Sequence, residues 1–206
     1  MAQMILYECF GLTTVRQKPT GYFSGPLIKY FGDPNQTQGG ARTVRQRVEA
    51  GETDIVFKTH KLARAAPEFQ RAIVIVRDGR AAVRSFARFR TEISKTLTTI
   101  EEVITDRRFS WSRNVASWLD DKRPKLLLRF EDLVNPSAQA LTQIGAYMGR
   151  PVTGEFTAKV DELRQVRPAY FQNAGNAESV ELIEREYGDL FWEHHGDTMR
   201  RLGYVR

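Results

Sequence analysis

The run Ala-Ile-Val-Ile-Val at 72–76 constrains the fold most. It is wholly apolar, and all but Ala72 are β-branched, so it reads as a strand. It does not alternate with polar residues, which suits a parallel sheet covered on both faces. Two shorter segments, residues 54–58 and the KLLLRF of 125–130, read as further strands. Between the strands the apolar spacing becomes helical. Asp78 suits an N-cap, and Ala82, Phe86, Phe89 and Ile93 then form a stripe. A second helical region covers about 101–120, with Val103, Ile104, Trp111, Val115, Trp118 and Leu119. The next helix takes Asn135 as N-cap, Pro136 as its first residue and Gly149 at C′, with Leu141, Ile144 and Met148 facing inward. Residues 176–203 are mostly helical, with interruptions expected at Gly188 and Gly196. Strands separated by helices imply a central parallel sheet in a three-layer α/β fold. No repeat or linker divides the chain, so residues 1–206 are expected to form a single domain.

The N-terminal part is less regular. Met1, Met4, Ile5, Cys9 and Leu12 have helical spacing, but no capping residue precedes them. Residues 13–53 read as a long irregular region, with a short helix within 43–51 closed by Gly51. Long loops of this kind are often binding loops.

Bulk properties narrow the function classes. Lys plus Arg exceed Asp plus Glu by 31 to 25, a formal charge of +6. That balance suits an anionic partner such as a nucleotide, a nucleic acid or a sulfated or phosphorylated molecule. Cys9 is the only cysteine. An internal disulfide and a cysteine zinc site are therefore excluded, and a reducing cytoplasm fits best. No apolar run approaches the roughly 20 residues of a membrane span, and the N-terminus lacks secretory signal features. No membrane partner is expected.

In parallel α/β sheets ligands bind beyond the carboxyl ends of the strands. Those ends carry Lys58-Thr59-His60, Arg77-Asp78-Gly79-Arg80 and Glu131-Asp132. Arg77 stands where a strand gives way to a helix, and its guanidinium can grip a phosphate bidentately. Ser85, eight residues on, adds a hydroxyl. The helix N-terminus adds N–H groups and positive dipole. The plainer alternatives are an Arg77–Asp78 ion pair and a Ser85 packed near Phe86. An imidazole such as His60 can accept a proton near neutral pH. Lys58, two residues earlier on an extended chain, points to the same side. His194 and His195 are adjacent, so their side chains diverge on a helix, and both read as surface. The sequence offers no convincing metal cluster.

Together these segments carry a resemblance. KTH at 58–60, IVIVRDGRAAVRS at 73–85 and LLLRFEDL at 126–133 followed by a helix resemble the sulfotransferases that use 3′-phosphoadenosine 5′-phosphosulfate (PAPS). The likeness runs from about Asp54 to Gly149, with a weaker echo in the closing MRRLGY. It implies a P-loop-NTPase-like fold and PAPS as co-substrate, with no metal. It gives Arg77 and Ser85 the cofactor's 3′-phosphate. It makes His60 the general base and sets Lys58 against charge developing on the leaving phosphate oxygen. Glu131 and Asp132 match the family's structural acidic turn. The acceptor would be a hydroxyl or amine of a small molecule or carbohydrate.

The chain also departs from that family. Lys61 and Leu62 stand where the family often has Leu-Pro. Nothing matches its opening strand and Pro-Lys-Ser-Gly-Thr loop, and no G-x-x-x-x-G-K-[ST] occurs. The expectation is therefore a fold lacking its first strand and phosphosulfate loop, with the true start upstream. Arg167 and Gly175 are candidate remnants of the late cofactor loop. Gln38-Gly39-Gly40-Ala41-Arg42 reads as a surface loop rather than a phosphate loop. Two other readings compete. One is a non-catalytic nucleotide-binding protein that keeps the 3′-phosphate site. The other, less favoured, is nucleic-acid binding through Arg80, Arg84 and Arg88, a basic stripe joined by Arg90, Arg107 and Arg108. Aromatic residues are not interleaved with it, and a solvated helix face explains it as well.

Overall fold

The computed structural model describes residues 1–12, 14–16, 30, 46, 49–51, 55–66, 71–108, 110–158, 160–166 and 176–206. The chain is mixed α/β, mostly helical, with small parallel sheets. In order its elements are α1 (Ala2–Phe10), β1 (Thr14–Arg16), β2 (Val56–Lys58), β3 (Ala72–Val76), α2 (Gly79–Glu92), α3 (Ile100–Thr105), α4 (Trp111–Leu119), β4 (Lys125–Arg129), α5 (Phe130–Val134), α6 (Ala138–Met148), α7 (Val160–Val166) and α8 (Asn176–Arg201). A 3-10 turn lies at Ala63–Ala65. None of the described helices is long and apolar enough to cross a membrane.

The chain forms two compact units. The first holds Met1–His60 and Phe130–Lys159. In it β1 runs parallel to β2, with Thr14 opposite Val56 and Arg16 opposite Lys58. The sequence reading left residues 13–53 without a strand. Three residues are too few to show a period of two, so β1 exists through its pairing rather than its propensity. Helix α1 buries Met4, Ile5, Leu6, Cys9 and Phe10. Gly11 ends it in the left-handed conformation at φ 65°, where a side chain would be strained. The Glu8 carboxylate accepts from Thr157 N at 2.7 Å, Ala158 N at 3.0 Å and Tyr30 Oη at 2.6 Å. Burial alone would raise its pKa, but these hydrogen bonds hold it below the usual carboxylate value. Ser137, not Asn135, caps α6, accepting from Ala140 N at 3.1 Å. Pro136 therefore lies before the cap. Gly149 closes α6 at φ 70°, as its sequence position suggested.

The second unit holds Gln70–Arg129 and Val160–Arg206, with Lys61–Ala66. Here β3 and β4 pair in parallel from Ala72–Lys125 to Val76–Arg129. Val74 and Val76 pack with Val115 and Leu202, flanked by Trp111, Trp118, Leu119 and Tyr204. Ile75 is left 38% exposed, so the run is not sealed on both faces. A larger cluster joins α2, α3 and α8 through Val83, Ala87, Val103, Ile104, Ile183, Phe191 and Met199.

Two helical expectations change. The inner face of α2 is Gly79, Val83 and Ala87, while Phe89 is 38% exposed. The small residues admit close neighbours, and bulk alone had pointed to the Phe stripe. The expected 101–120 region divides into α3 and α4. Thr99 begins α3 with a reciprocal capping box to Glu102, and Ser110 begins α4 by accepting from Arg113 N at 3.3 Å.

Candidate functional site

Lys58 is the last residue of β2, and His60 lies two residues beyond it. Lys58 and His60 are exposed and Thr59 between them is less so. That alternation is the one an extended chain gives when residues two apart share a side. Lys58 and His60 belong to the first unit. Lys61 begins the second, and its carbonyl accepts from Trp118 Nε1 at 3.0 Å. Next to it Ala63 N donates to Ser117 Oγ at 3.1 Å, and Arg123 Nη2 donates to Ala63 O at 2.8 Å. The segment is thus tied to α4 just before the 3-10 turn and at its first residue, and to Arg123 beyond α4.

Arg77 and Ser85 belong to the second unit. Arg77 leaves β3 half-buried, and Ser85 stands exposed on α2. Asp78 caps α2, accepting from Arg80 N at 2.9 Å. The expected N-cap therefore holds. Strand, arginine, cap and helix follow one another with no intervening loop, so the helix start directs its N–H groups and dipole toward the turn.

Asp78 also binds a residue that the sequence had placed in a basic stripe. Arg80 is 7% exposed. Its Nε and Nη2 reach the two Asp78 oxygens at 3.0 and 2.7 Å. Its Nη1 reaches Glu184 Oε1 at 2.5 Å and Val205 O at 3.4 Å. Its guanidinium lies 5.7 Å from the Trp192 ring centroid, and Trp192 Nε1 donates to the same Glu184 oxygen at 2.8 Å. The rest of the stripe is matched as well. Arg84 pairs with Glu178 at 2.7 Å and Arg88 with Glu92 at 3.2 Å. Arg90 stands 3.8 Å from Asp106. The spacing of the arginines was readable, but their acids on α8 lie about a hundred residues away in sequence.

The histidine pair is not wholly on the surface. His194 is exposed, but His195 is 1% exposed. The two side chains do diverge, as adjacent helical residues must, and that sends His195 into the core between Trp111 and Phe191. Its Nδ1 lies 2.9 Å from Ser112 Oγ, while Nε2 makes no hydrogen bond to any described residue. Burial, and then the neighbouring His194, lower its pKa to about 4, against a smaller upward pull from the Ile104 backbone. Glu131 and Asp132 lie in the first turn of α5, in the first unit. The readings placed on Gln38–Arg42, Arg167 and Gly175, and most of 43–51, fall outside the described residues.

No protein-family model matches the chain, and no curated protein matches it either.

Proposed function

We propose that this chain is a PAPS-dependent sulfotransferase of the three-layer, P-loop-NTPase-like kind. The observation that carries the reading is the β3–turn–α2 unit. Arg77 leaves a strand of a parallel sheet, Asp78 caps the helix at once, and Ser85 stands exposed eight residues on. That arrangement supplies a guanidinium, a hydroxyl and a helix N-terminus, which are the groups a bound phosphate needs. The exposed Lys58 and His60 at the end of β2 support the chemical half of the proposal.

In the proposed reaction an acceptor oxygen or nitrogen attacks the sulfur in line with the departing phosphate. The new bond to sulfur forms as the sulfur–oxygen bond to phosphate breaks. His60 takes the acceptor's proton, and Lys58 meets the charge growing on the leaving oxygen. Adenosine 3′,5′-bisphosphate leaves. His60→Ala is expected to lower transfer by about 10²–10⁴-fold and to leave bisphosphate affinity within about twofold, since no proton moves in binding. Radiolabelled sulfate transfer together with calorimetry checks both halves. Near-normal turnover in His60→Ala would remove the assignment of the base.

A second reading is a nucleotide-binding protein without transferase activity. What favours it is the lack of any Pro-Lys-Ser-Gly-Thr-like stretch in the 206 residues. Bisphosphate binding with no transfer to any hydroxyl or amine acceptor would select it.

A further inference from the structure

An aspartate at the cap of a phosphate-binding helix is an electrostatic contradiction. Its carboxylate stabilises the helix start, but it also stands next to Arg77, where a dianionic phosphate is proposed to sit. Asparagine would cap as well and carry no charge. The contradiction is resolved by Arg80. We infer that Arg80 is a positioning residue for the anion site, whose buried pairing cancels the charge of Asp78 so that Arg77 and the helix N-terminus present a net positive field. The inference rests on the phosphate-site reading above and goes further, because it assigns a role to residues that the resemblance leaves unassigned.

Several observations support it. All three guanidinium nitrogens of Arg80 are engaged, two of them on Asp78. They are therefore committed to acids rather than open to a ligand. The pair is shielded from water, with side chains 9% and 8% exposed. Charges buried to that degree are little screened, so an uncompensated Asp78 would act strongly on a nearby phosphate. Glu184 joins the network from α8. It takes Arg80 on Oε1 and lies 3.6 Å from Arg206 Nε through Oε2. Arg206 also pairs with the exposed Asp189 at 2.6 Å, and Trp192 closes one side of the Arg80–Glu184 pair. The same network ties the start of α2 to the middle of α8 and to the Val205 carbonyl at the chain's end. It fixes where the turn carrying Arg77 stands.

The test compares two probes, adenosine 3′,5′-bisphosphate and adenosine 5′-monophosphate, which differ by the 3′-phosphate. Asp78→Asn keeps the cap and removes the charge. It is expected to tighten bisphosphate binding by roughly three- to tenfold and to change monophosphate binding less than about twofold, with the gain shrinking as salt rises. Arg80→Met removes the guanidinium that pairs with Asp78 and is expected to weaken bisphosphate binding by about tenfold or more, again selectively. Asp78→Asn combined with Arg80→Met should return bisphosphate affinity to within about threefold of the wild type. A purely structural Arg80 would weaken both probes together and would not be rescued by removing its partner. Should Arg80→Met fail to fold, Asp78→Asn decides alone. Unchanged or weaker bisphosphate affinity in Asp78→Asn, with the wild type binding normally, overturns the inference and leaves the phosphate site standing. No bisphosphate binding by the wild type overturns both.

Discussion

A methyl group added at Gly79 would lie 2.8 Å from Trp111 Cζ3 and 3.0 Å from Phe191 Cζ. Helix propensity alone favours alanine there by about 1 kcal/mol. Overpacking of a well-filled core costs about 1–3 kcal/mol, and both blocking atoms belong to rings that are themselves packed. Gly79→Ala is therefore expected to lower stability by up to about 2 kcal/mol, the net of these terms, measured as a lower denaturant midpoint at constant slope. A stabilised Gly79→Ala would mean that Trp111 has room to move. Lys95 presents the reverse case. It sits at φ 55°, the one non-glycine residue at positive φ among those described, while Thr96 N closes on Arg90 O at 2.9 Å. A left-handed residue with a Cβ costs about 1–2 kcal/mol, and glycine gives back part of the gain in unfolded-chain entropy. Lys95→Gly should raise stability by about 0.5–1 kcal/mol in the same measurement. Neither effect was visible in the sequence, since both depend on which atoms stand opposite or which dihedral the turn imposes.

At the scale of elements, α8 shows how tertiary contacts override local signals. Gly188 and Gly196 were expected to interrupt it, yet Asn176–Arg201 is one helix of 26 residues. A Cβ at Gly188 would meet Glu184 and Arg206, and one at Gly196 would meet Trp192 and Arg200. These glycines serve close approach rather than termination. The same helix delivers His195 to the core beside Trp111 and Phe191. Its pKa of about 4 lies below the ordinary value of 6.5, so the folded state holds it neutral. The linkage has one sign. The stabilisation is complete above pH 6.5, the unfolded value, and is lost as the pH falls toward 4. The loss amounts to roughly 3 kcal/mol. His195→Phe should flatten this acid limb of the stability profile. An unchanged slope between pH 6.5 and 4 would place the titrating group elsewhere. The strands β3 and β4 were legible because their apolar runs announce themselves, and the Asp78 cap because cap chemistry is local. The site's pairing was not legible. Arg80 and Glu184 are separated by 104 positions, and nothing in either neighbourhood names the other.

For the whole molecule, a net charge of +6 sets a favourable field for anions, but most of the arginines on α2 are spent on internal acids. What is left for a ligand depends on particular residues more than on total charge. The KTH and Arg-to-Ser segments were readable as strand ends because runs of apolar residues stop there. Their placement in two compact units was not, because unit 1 and unit 2 alternate along the chain. The central claim is that Arg77, Ser85 and the start of α2 hold a phosphate at the 3′ position of an adenosine nucleotide. Calorimetric titration of the wild type and Arg77→Ala with adenosine 3′,5′-bisphosphate and adenosine 5′-monophosphate tests it most directly. The account predicts that the wild type prefers the bisphosphate by about tenfold or more, and that Arg77→Ala abolishes the preference, a loss in keeping with one charge-assisted contact. Equal affinity for the two nucleotides in the wild type, or a preference that survives Arg77→Ala, would contradict it.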